Sequence, residues 1–374
     1  MKKRLEILVI LLSTIGLLMI TSSSYVWGEY KYGDALKYAK NQGLFLIAGI
    51  ILMNVISKID YRIYYKKATK FLIAGFILLI LVLIPGLGTV RNGSRSWFNF
   101  GLFSLQPSEI MKVILIIFTS KYLANNQDDI KYTFKTIIPI LSVTITAFLL
   151  IMLQPDFGSG VVLTMSIVGL LFSSGADFSF FLKIGLLGIV GVVGLIVIAP
   201  YRVARIVSFL NPWSDPLGSG FQIIQSLYAI GPGGLFGKGL GNSIQKHFYL
   251  PEPQTDFIFA IICEELGFLG ALLIVVLFAL IIYQIVKIAL KSHDLFAKYL
   301  SFGIAFQIAF QAILNLLVVI GLIPVTGVTL PFLSYGGSSL LISLLEIGIV
   351  LNISNKSNWV YKIDEKCDFV QCTV

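Results

Sequence analysis

Long, uninterrupted runs of apolar residues are the feature that most constrains this chain. The runs are about 17 to 25 residues long, the length that an α-helix needs to cross about 30 Å of hydrocarbon. Only 13% of the 374 residues are charged and 57% are hydrophobic, whereas about a quarter of a soluble domain is charged. The alternation typical of membrane β-strands is absent, and helices satisfy their own backbone polar groups in lipid. We therefore predict an all-α polytopic membrane protein.

Ten apolar segments predict about ten membrane-spanning helices. They lie near residues 5–24, 43–60, 70–88, 107–124, 134–153, 158–175, 180–200, 256–289, 298–322 and 336–353. The eighth is too long for one straight crossing, so we expect it to tilt or to project from the bilayer. The first lacks a small-residue cleavage pattern, which indicates an uncleaved anchor. One membrane domain, residues 1–355, is thus followed by a short cytoplasmic tail, residues 356–374, that we expect to be disordered.

The positions of Lys and Arg predict the orientation. With the N-terminus inside, the cytoplasmic segments hold 18 of the 28 Lys and Arg residues, the outside segments hold nine, and Lys112 lies within a span. Because cytoplasmic loops are enriched in Lys and Arg, both termini are predicted to be cytoplasmic. One long extracytoplasmic loop, about residues 201–255, then joins the seventh and eighth helices. The net charge of +9 reflects topology and attraction to anionic lipid, and not binding to nucleic acid.

Cysteine and histidine predict neither a disulfide nor a metal site. Cys263 lies in a span, Cys367 and Cys372 lie in the tail, and His247 and His293 lie in loops on opposite sides of the membrane. The tail cysteines lack the partners of a zinc site, and none of the three is placed for an extracytoplasmic disulfide. No cofactor follows from these residues.

Two similar polar motifs occur at the outside ends of spans, where polar residues are costly and therefore informative. Gln106-Pro-Ser-Glu109 begins the fourth span, and Glu109 and Lys112 share a helix face because they lie three residues apart. Their pairing has either a functional role or the structural role of carrying a charged helix end into the bilayer. Gln154-Pro-Asp156 begins the sixth span, where Asp156 either caps the helix or shares a polar cavity with the first motif.

Two outside segments rich in glycine leave similar alternatives open. Residues 231–241 either cradle a diphosphate with their backbone amides or only form tight turns, and they lack the Gly-Lys-Ser/Thr ending of a nucleotide-binding loop. Residues 323–339 carry hydroxyls but no charge, and they either contact a sugar or only turn the chain.

Asp256 is the leading candidate for a catalytic residue. It opens the eighth span at the outside face, where its carboxylate meets both water and the membrane surface. Partial burial there suits a general base that acts on a lipid-linked hydroxyl, and a helix N-cap is the structural alternative. About two turns deeper, Glu264 and Glu265 require partners inside the bundle, and Lys112 is a candidate.

The combination of motifs resembles the SEDS family (shape, elongation, division and sporulation proteins). Residues 228–234 and 249–256 look closest to the division and sporulation branch, and the rod-shape branch is a poorer match. Glu346, in the middle of the last span, departs from the family pattern and has no functional account. The matching segments, in family order, are Gln106-Pro-Ser-Glu109 with Lys112, Gln154-Pro-Asp156, residues 211–216, Gln222 with Gln225-Ser226, the glycine loop (residues 231–241), residues 250–267 and residues 331–338.

This resemblance implies a peptidoglycan glycosyltransferase of the bacterial inner membrane. It would polymerise lipid II beside a class B penicillin-binding protein, as part of the division or sporulation machinery. The essential aspartate of the family maps onto Asp256, and its acid and lysine map onto Glu109 and Lys112. A lipid II flippase and a non-catalytic scaffold for the penicillin-binding protein are the alternatives.

A wider set of polar residues is predicted to contact the substrate. Lys112, Arg202, Arg205 or a divalent cation (Mg²⁺ or Mn²⁺) would offset the diphosphate charge. The full set is Arg95, Gln106, Ser108, Glu109, Lys112, Gln154, Asp156, Arg202, Arg205, Gln222, Gln225, Glu252, Thr255, Ser334 and Ser338.

Overall fold

The computed structural model describes residues 2–127 other than 92 and 102, residues 134–177, scattered positions between 179 and 203, and residues 209–370 other than 219. Most of the predicted seventh span falls outside this part, and so do Arg202 and Arg205. The described α-helices are α1 (Lys2–Tyr32), α2 (Lys37–Ile56), α3 (Arg62–Leu81), α4 (Pro107–Asn125), α5 (Phe134–Met152), α6 (Phe157–Ser173), α7 (Phe221–Ile230), α8 (Ile258–Leu290), α9 (Leu295–Val319) and α10 (Gly337–Val370).

The helical, membrane-spanning architecture is confirmed. Within the described part of the chain, five helices are long and apolar enough to cross a bilayer, namely α1, α2, α8, α9 and residues 337–356 of α10. Helices at the rim of the bundle expose large apolar side chains, such as Leu44 at 67% and Ile47 at 61%. In water such surfaces would be unfavourable, whereas in lipid they are solvated. The chain is therefore a multi-pass membrane protein, and its number of crossings and orientation stay predictions.

Helix α4 lies at the centre of the bundle. Its buried residues are distributed around the whole helix, including every position from Met111 to Ile117. A helix that is buried on all sides belongs to the interior. It packs against α3, α6, α9 and α10, so the polar side chains at its first turns face other helices and not lipid.

A small antiparallel sheet precedes α4, and the sequence did not predict it. Its strands are β1 (Gly88–Arg91), β2 (Ser94–Asn99) and β3 (Ser104–Leu105), with β2 in the middle. Gly93, with φ 81°, forms part of the turn between β1 and β2, and Asn-Gly is a strong hairpin signal in sequence. This short segment is a local exception within an otherwise helical fold.

The two longest helices differ from their predicted form. Helix α8 is broken at Gly267 (φ 66°, ψ −164°), so a kink, and not tilt alone, accounts for its length. Helix α10 continues to Val370, where the sequence led us to expect disorder from residue 356. Neither Gly nor Pro occurs between Lys356 and Val370, which leaves no residue type that stops a helix.

Candidate active site

Asp256 is half-buried and lies immediately before α8. The helix begins at Ile258 with Phe257 as its N-cap, so Asp256 precedes the cap and the N-cap alternative was wrong. The Thr255 hydroxyl lies 2.9 Å from Asp256 Oδ1 and shares its single proton between this oxygen and the carbonyl of Glu252. The side chain of Asn315, from α9, donates to the backbone carbonyl of Asp256 at 2.7 Å. Two elements far apart in sequence therefore hold the residue in place.

The segment before Asp256 is a tight turn built around Glu252. Glu252 has φ 42°, a conformation that is uncommon for a residue other than glycine. Its carbonyl accepts from both the amide (3.1 Å) and the hydroxyl (2.7 Å) of Thr255. The amide of Tyr335 donates to Gln254 O at 2.8 Å, which joins the turn to the segment before α10. Thr255 thus shapes the turn that presents Asp256.

The two Gln-Pro-acid motifs meet, as the sequence predicted. The Gln106 amide donates to Asp156 Oδ2 at 2.8 Å, and the Ser108 hydroxyl lies 3.4 Å from the same oxygen. The other oxygen of Asp156 accepts from the backbone amide of Ser159 at 3.2 Å. Asp156 therefore caps α6, as one of the two alternatives predicted, and it also joins α6 to the start of α4.

Glu109 and Lys112 form a buried ion pair with a separation of 2.9 Å, and their side chains are 8% and 1% exposed. Lys112 also donates to Gln311 Oε1 at 2.9 Å. Gln311 donates to the carbonyl of Thr329 at 3.0 Å, and Asn315, one turn along α9, bonds to Asp256. A continuous polar stripe on α9 thus connects the ion pair to the backbone of Asp256.

The prediction that Lys112 neutralises Glu264 or Glu265 was wrong. Glu264 pairs with Lys238 at 2.7 Å, and Glu265 pairs with Lys246 at 3.0 Å, where both side chains are fully buried. Both lysines belong to the loop before α8, which folds back on the helix. The sequence signal was available, because these two are the outside lysines nearest to α8 in the chain.

The glycine loop docks against the kink of α8. The amides of Lys238 and Gly239 donate to the carbonyls of Glu264 and Glu265 at 2.9 and 3.0 Å. A Cβ atom on Gly267 would lie 2.3 Å from the amide nitrogen of Gly237, so only glycine permits this approach. Loop amides thus bond to carbonyls of the broken helix, which favours the tight-turn interpretation over a diphosphate cradle.

Several predicted substrate ligands have internal partners instead. Gln154 is fully buried, and its side-chain amide donates to the backbone carbonyl of Leu79 at 3.2 Å. The backbone carbonyl of Gln154 accepts from the hydroxyls of Ser94 and Ser96 in β2. Arg95 donates to Leu83 O at 3.3 Å. Their placement as substrate ligands is therefore not supported, because these bonds attach the hairpin to the bundle.

The two serines predicted to bind substrate in the uncharged segment before α10 (residues 323–339) also have internal partners. Ser334 accepts from the amide of Leu330 at 2.8 Å, and Ser338 donates to the carbonyl of Ser104. These hydroxyls fix the loop before α10, so the turn-forming alternative holds for them.

Gln222 and Gln225 lie three residues apart on α7, and both are half-buried. Their neighbour Ser226 is fully buried and donates to the Val319 carbonyl of α9 at 2.7 Å, which fixes the orientation of the helix.

Glu346 acquires a partner that sequence reasoning did not supply. It is fully buried, and Gln307 of α9 donates to its Oε1 at 2.6 Å. Its Oε2 has no hydrogen-bond partner among the described residues. The charges of Lys112 and Glu109 both act on this carboxyl, so Glu346 extends the polar stripe of α9 towards the middle of the bundle.

No cluster of three or more His, Cys, Asp or Glu side chains suited to a metal ion occurs in the part of the chain that the structure describes. Deeper in α8, the carboxylates of Glu264 and Glu265 are already paired with lysines.

Comparison with known proteins identifies the family. Residues 3–359 match the family of cell cycle proteins that comprises FtsW, RodA and SpoVE. The chain belongs to this FtsW/RodA/SpoVE family. It is 52% identical to stage V sporulation protein E of Bacillus subtilis, over 95% of this chain and 97% of that protein. It is 43% identical to a probable peptidoglycan glycosyltransferase FtsW of Coxiella burnetii, over 92% and 93% of the two chains.

Solved structures of the FtsW/RodA/SpoVE family share this fold. One is a chain of a peptidoglycan synthase complex that coordinates polymerization and crosslinking, with a TM-score of 0.76 and 30% identity over 94% of this chain and 97% of that one. Another is the rod shape determining protein RodA of Thermus thermophilus, with a TM-score of 0.70 and 27% identity over 94% and 96% of the chains. The higher identities to SpoVE and FtsW agree with the predicted division and sporulation branch.

Proposed function

We propose that this protein is a peptidoglycan glycosyltransferase that polymerises lipid II into glycan strands. The observation that carries the proposal is the half-buried Asp256, held by Thr255 and Asn315 at the start of a membrane-spanning helix. A carboxylate at this boundary reaches a sugar hydroxyl in water while the lipid tail of the same substrate stays among the helices. The activity named for the FtsW relatives supports the same assignment.

In the proposed reaction Asp256 acts as the general base. It removes the proton of the 4-hydroxyl of the acceptor GlcNAc, and the oxygen attacks C1 of the donor MurNAc. The bond from C1 to the undecaprenyl diphosphate breaks, the diphosphate leaves with the electron pair, and inversion gives a β-1,4 linkage. Arg202, Arg205 or a divalent cation (Mg²⁺ or Mn²⁺) bound with the diphosphate would stabilise the leaving charge.

Lys112 has a positioning role in this proposal and does not touch the substrate. Its side chain is 1% exposed and is held by Glu109 and Gln311, so it presents no surface to a diphosphate. Its interaction with Gln311 instead fixes the face of α9 that carries Asn315. The pair thereby orders the segment that presents Asp256.

A class B penicillin-binding protein is the proposed partner, within the machinery of division or sporulation. The structural relative that supports this is a chain of a complex in which polymerization and crosslinking are coordinated. Crosslinking requires a transpeptidase. A complex that holds the polymerase beside the transpeptidase would deliver new glycan strands directly to the crosslinking enzyme.

The experiment that tests the function is a polymerisation assay with labelled lipid II and purified protein, with the partner transpeptidase inactivated in its own active site. Wild type is expected to give glycan ladders, and Asp256→Ala and Asp256→Asn are expected to give none. Asp34→Ala is the matched control, because Asp34 is a surface carboxylate paired with Lys40. Full activity of a folded Asp256→Asn variant would show that the base is another group.

Lipid II flipping is the second candidate function, and one observation favours it. A flippase needs polar groups along the whole crossing, and Glu346 with Gln307 continues the polar stripe towards mid-membrane. Transport of labelled lipid II into sealed vesicles that survives Asp256→Ala and is lost in Glu346→Leu would support this function. Polymerisation lost in the first variant and retained in the second would support the glycosyltransferase.

A further inference from the structure

A second polar site lies at the opposite end of α8 from Asp256. A cleft of about 1450 Å³ opens there among the ends of α2 and α4, residues 352–356 of α10, the start of α3 and the turn between α8 and α9. Because the ends of apolar helices form its walls, it lies at the depth of lipid headgroups. None of the described residues of the candidate active site lines this cleft.

The cleft is basic. Among the described residues, one carboxylate, that of Asp294, lines the cleft together with the positively charged side chains Lys58, Arg62, Lys66 and Lys356. Three of these cations, Lys58, Arg62 and Lys66, are exposed and form no ion pair within the described part of the chain. Their charge is therefore available to a ligand.

The carboxylates nearby already have partners. Asp60 pairs with Lys356 and accepts from the backbone amide of Arg62 at 3.0 Å. Partial burial alone would raise the pKa of Asp60, but these interactions outweigh it and hold the pKa below its ordinary value. Asp294 accepts from the amide of Phe296 at 3.2 Å. Burial, together with Asp294, raises the pKa of Tyr61 to about 12, so Tyr61 keeps the proton that it shares with Asp294.

The walls of the cleft are fixed and partly aromatic. Asn352 is 3% exposed, donates to Ser57 O at 2.9 Å and accepts from the amide of Tyr61 at 3.0 Å. The rings of Tyr65 and Phe296 pack edge to face, with centroids 5.3 Å apart. A wall that joins cations to aromatic rings matches a ligand whose charged phosphate is attached to an apolar chain.

We propose that this cleft binds the phosphate headgroup of an anionic phospholipid, such as phosphatidylglycerol, from the leaflet at this end of the bundle. Lys58, Arg62 and Lys66 contact the phosphate, and Tyr65 and Phe296 contact the glycerol and the first methylene groups. Basic pockets between membrane helices on the cytoplasmic side are suited to such headgroups, and the distribution of Lys and Arg predicts that this end is cytoplasmic. The site is independent of the proposed glycosyltransferase activity.

The test compares two variants that lose the same charge from the same helix. Arg62→Gln with Lys66→Gln removes two cleft cations, and Lys67→Gln with Lys70→Gln removes two exposed cations of α3 that do not line the cleft. Native mass spectrometry of the full-length protein measures the binding of short-chain phosphatidylglycerol, with phosphatidylcholine and glycerol 3-phosphate as competitors. Thermal unfolding in phosphatidylcholine nanodiscs verifies that each variant is folded.

The cleft variant is expected to bind phosphatidylglycerol about 25-fold more weakly, since each of its two basic residues contributes about fivefold near an anionic lipid. The control variant is expected to bind as wild type. Equal weakening in both variants would overturn the proposal in favour of general attraction to a positive surface. Displacement of the lipid by an equal concentration of glycerol 3-phosphate would also overturn it, because the site would then recognise a soluble phosphate.

Discussion

The side-chain amide of Asn315 lies 2.7 Å from the backbone carbonyl oxygen of Asp256, and it also bonds to the carbonyl of Val328 at 2.8 Å. One residue in the middle of the polar stripe thus fixes both the candidate base and the segment that leads to α10. Removal of this amide leaves two carbonyls without their donor, one of them in a segment that must be placed accurately for catalysis.

Asn315→Ala is therefore expected to lower the turnover number for lipid II polymerisation by about tenfold or more, with a smaller change in KM. The loss of the bonds is expected to cost about 1–3 kcal/mol of stability. Steady-state kinetics and thermal unfolding measure the two effects. Asn54→Ala is the control, because Asn54 is exposed and bonds only within its own helix, and an Asn315→Ala turnover equal to that of the control would contradict the positioning role.

Removal of one partner from the buried pair of Glu265 and Lys246 is expected to destabilise the folded protein. Glu265→Gln leaves a buried ammonium without its counter-charge, which costs about 3–5 kcal/mol. Glu265→Gln with Lys246→Met is expected to recover part of that loss, since no buried charge remains. The exposed pair of Asp34 and Lys40 supplies the comparison, because solvent screens an exposed ion pair and Asp34→Asn is expected to leave stability nearly unchanged. Thermal unfolding in detergent measures all three, and a Glu265→Gln variant as stable as Asp34→Asn would show that the pair is not essential.

Gly267→Ala is expected to prevent correct docking of the glycine loop. The new Cβ would lie 2.3 Å from Gly237 N, and φ 66° with ψ −164° is a conformation that only glycine adopts readily. We expect low yields of folded protein and no polymerisation. Gly231→Ala is the control, because a Cβ atom at that position would have no neighbour within 4 Å. Size-exclusion chromatography and the lipid II assay read out the result, and normal yield and activity of Gly267→Ala would mean that the kink is dispensable.

Glu346→Gln is expected to retain polymerisation within about twofold of wild type and to be no less stable. The amide keeps the size of the side chain, and a neutral group costs less to bury than a carboxylate. Glu346→Ala is expected to lose about 1–3 kcal/mol, because it deprives Gln307 of its bond. The lipid II assay and thermal unfolding measure these effects. A Glu346→Gln variant that loses polymerisation while it stays folded would place this carboxylate in the reaction.

The sequence predicted those features that depend on neighbouring residues. The apolar runs located nine helices, because span length follows from bilayer thickness, and the common side of two helix starts placed Gln106 near Asp156. The partners of Glu264 and Glu265 depend on a loop that folds back on α8, and hydropathy contains no information about such a contact. Gln154 was predicted to bind substrate because the hairpin that carries its partners Ser94 and Ser96 was not predicted. The Asn-Gly pair in the sequence is the signal that would have indicated this hairpin.

The bonds among Ser22, Lys246 and Glu265 also bear on how the protein is made. The Ser22 hydroxyl donates to the Glu265 carboxylate at 2.7 Å across 243 positions of sequence, and Lys246 Nζ reaches both. At about 5–20 residues per second, roughly 12–50 s of translation separate the first of these residues from the last. During that interval the Ser22 hydroxyl has neither of these partners, because Lys246 is added to the chain only 19 residues before Glu265. Docking of the loop that precedes Asp256 is therefore a late event in biogenesis, which begins only when the ribosome has delivered the start of α8.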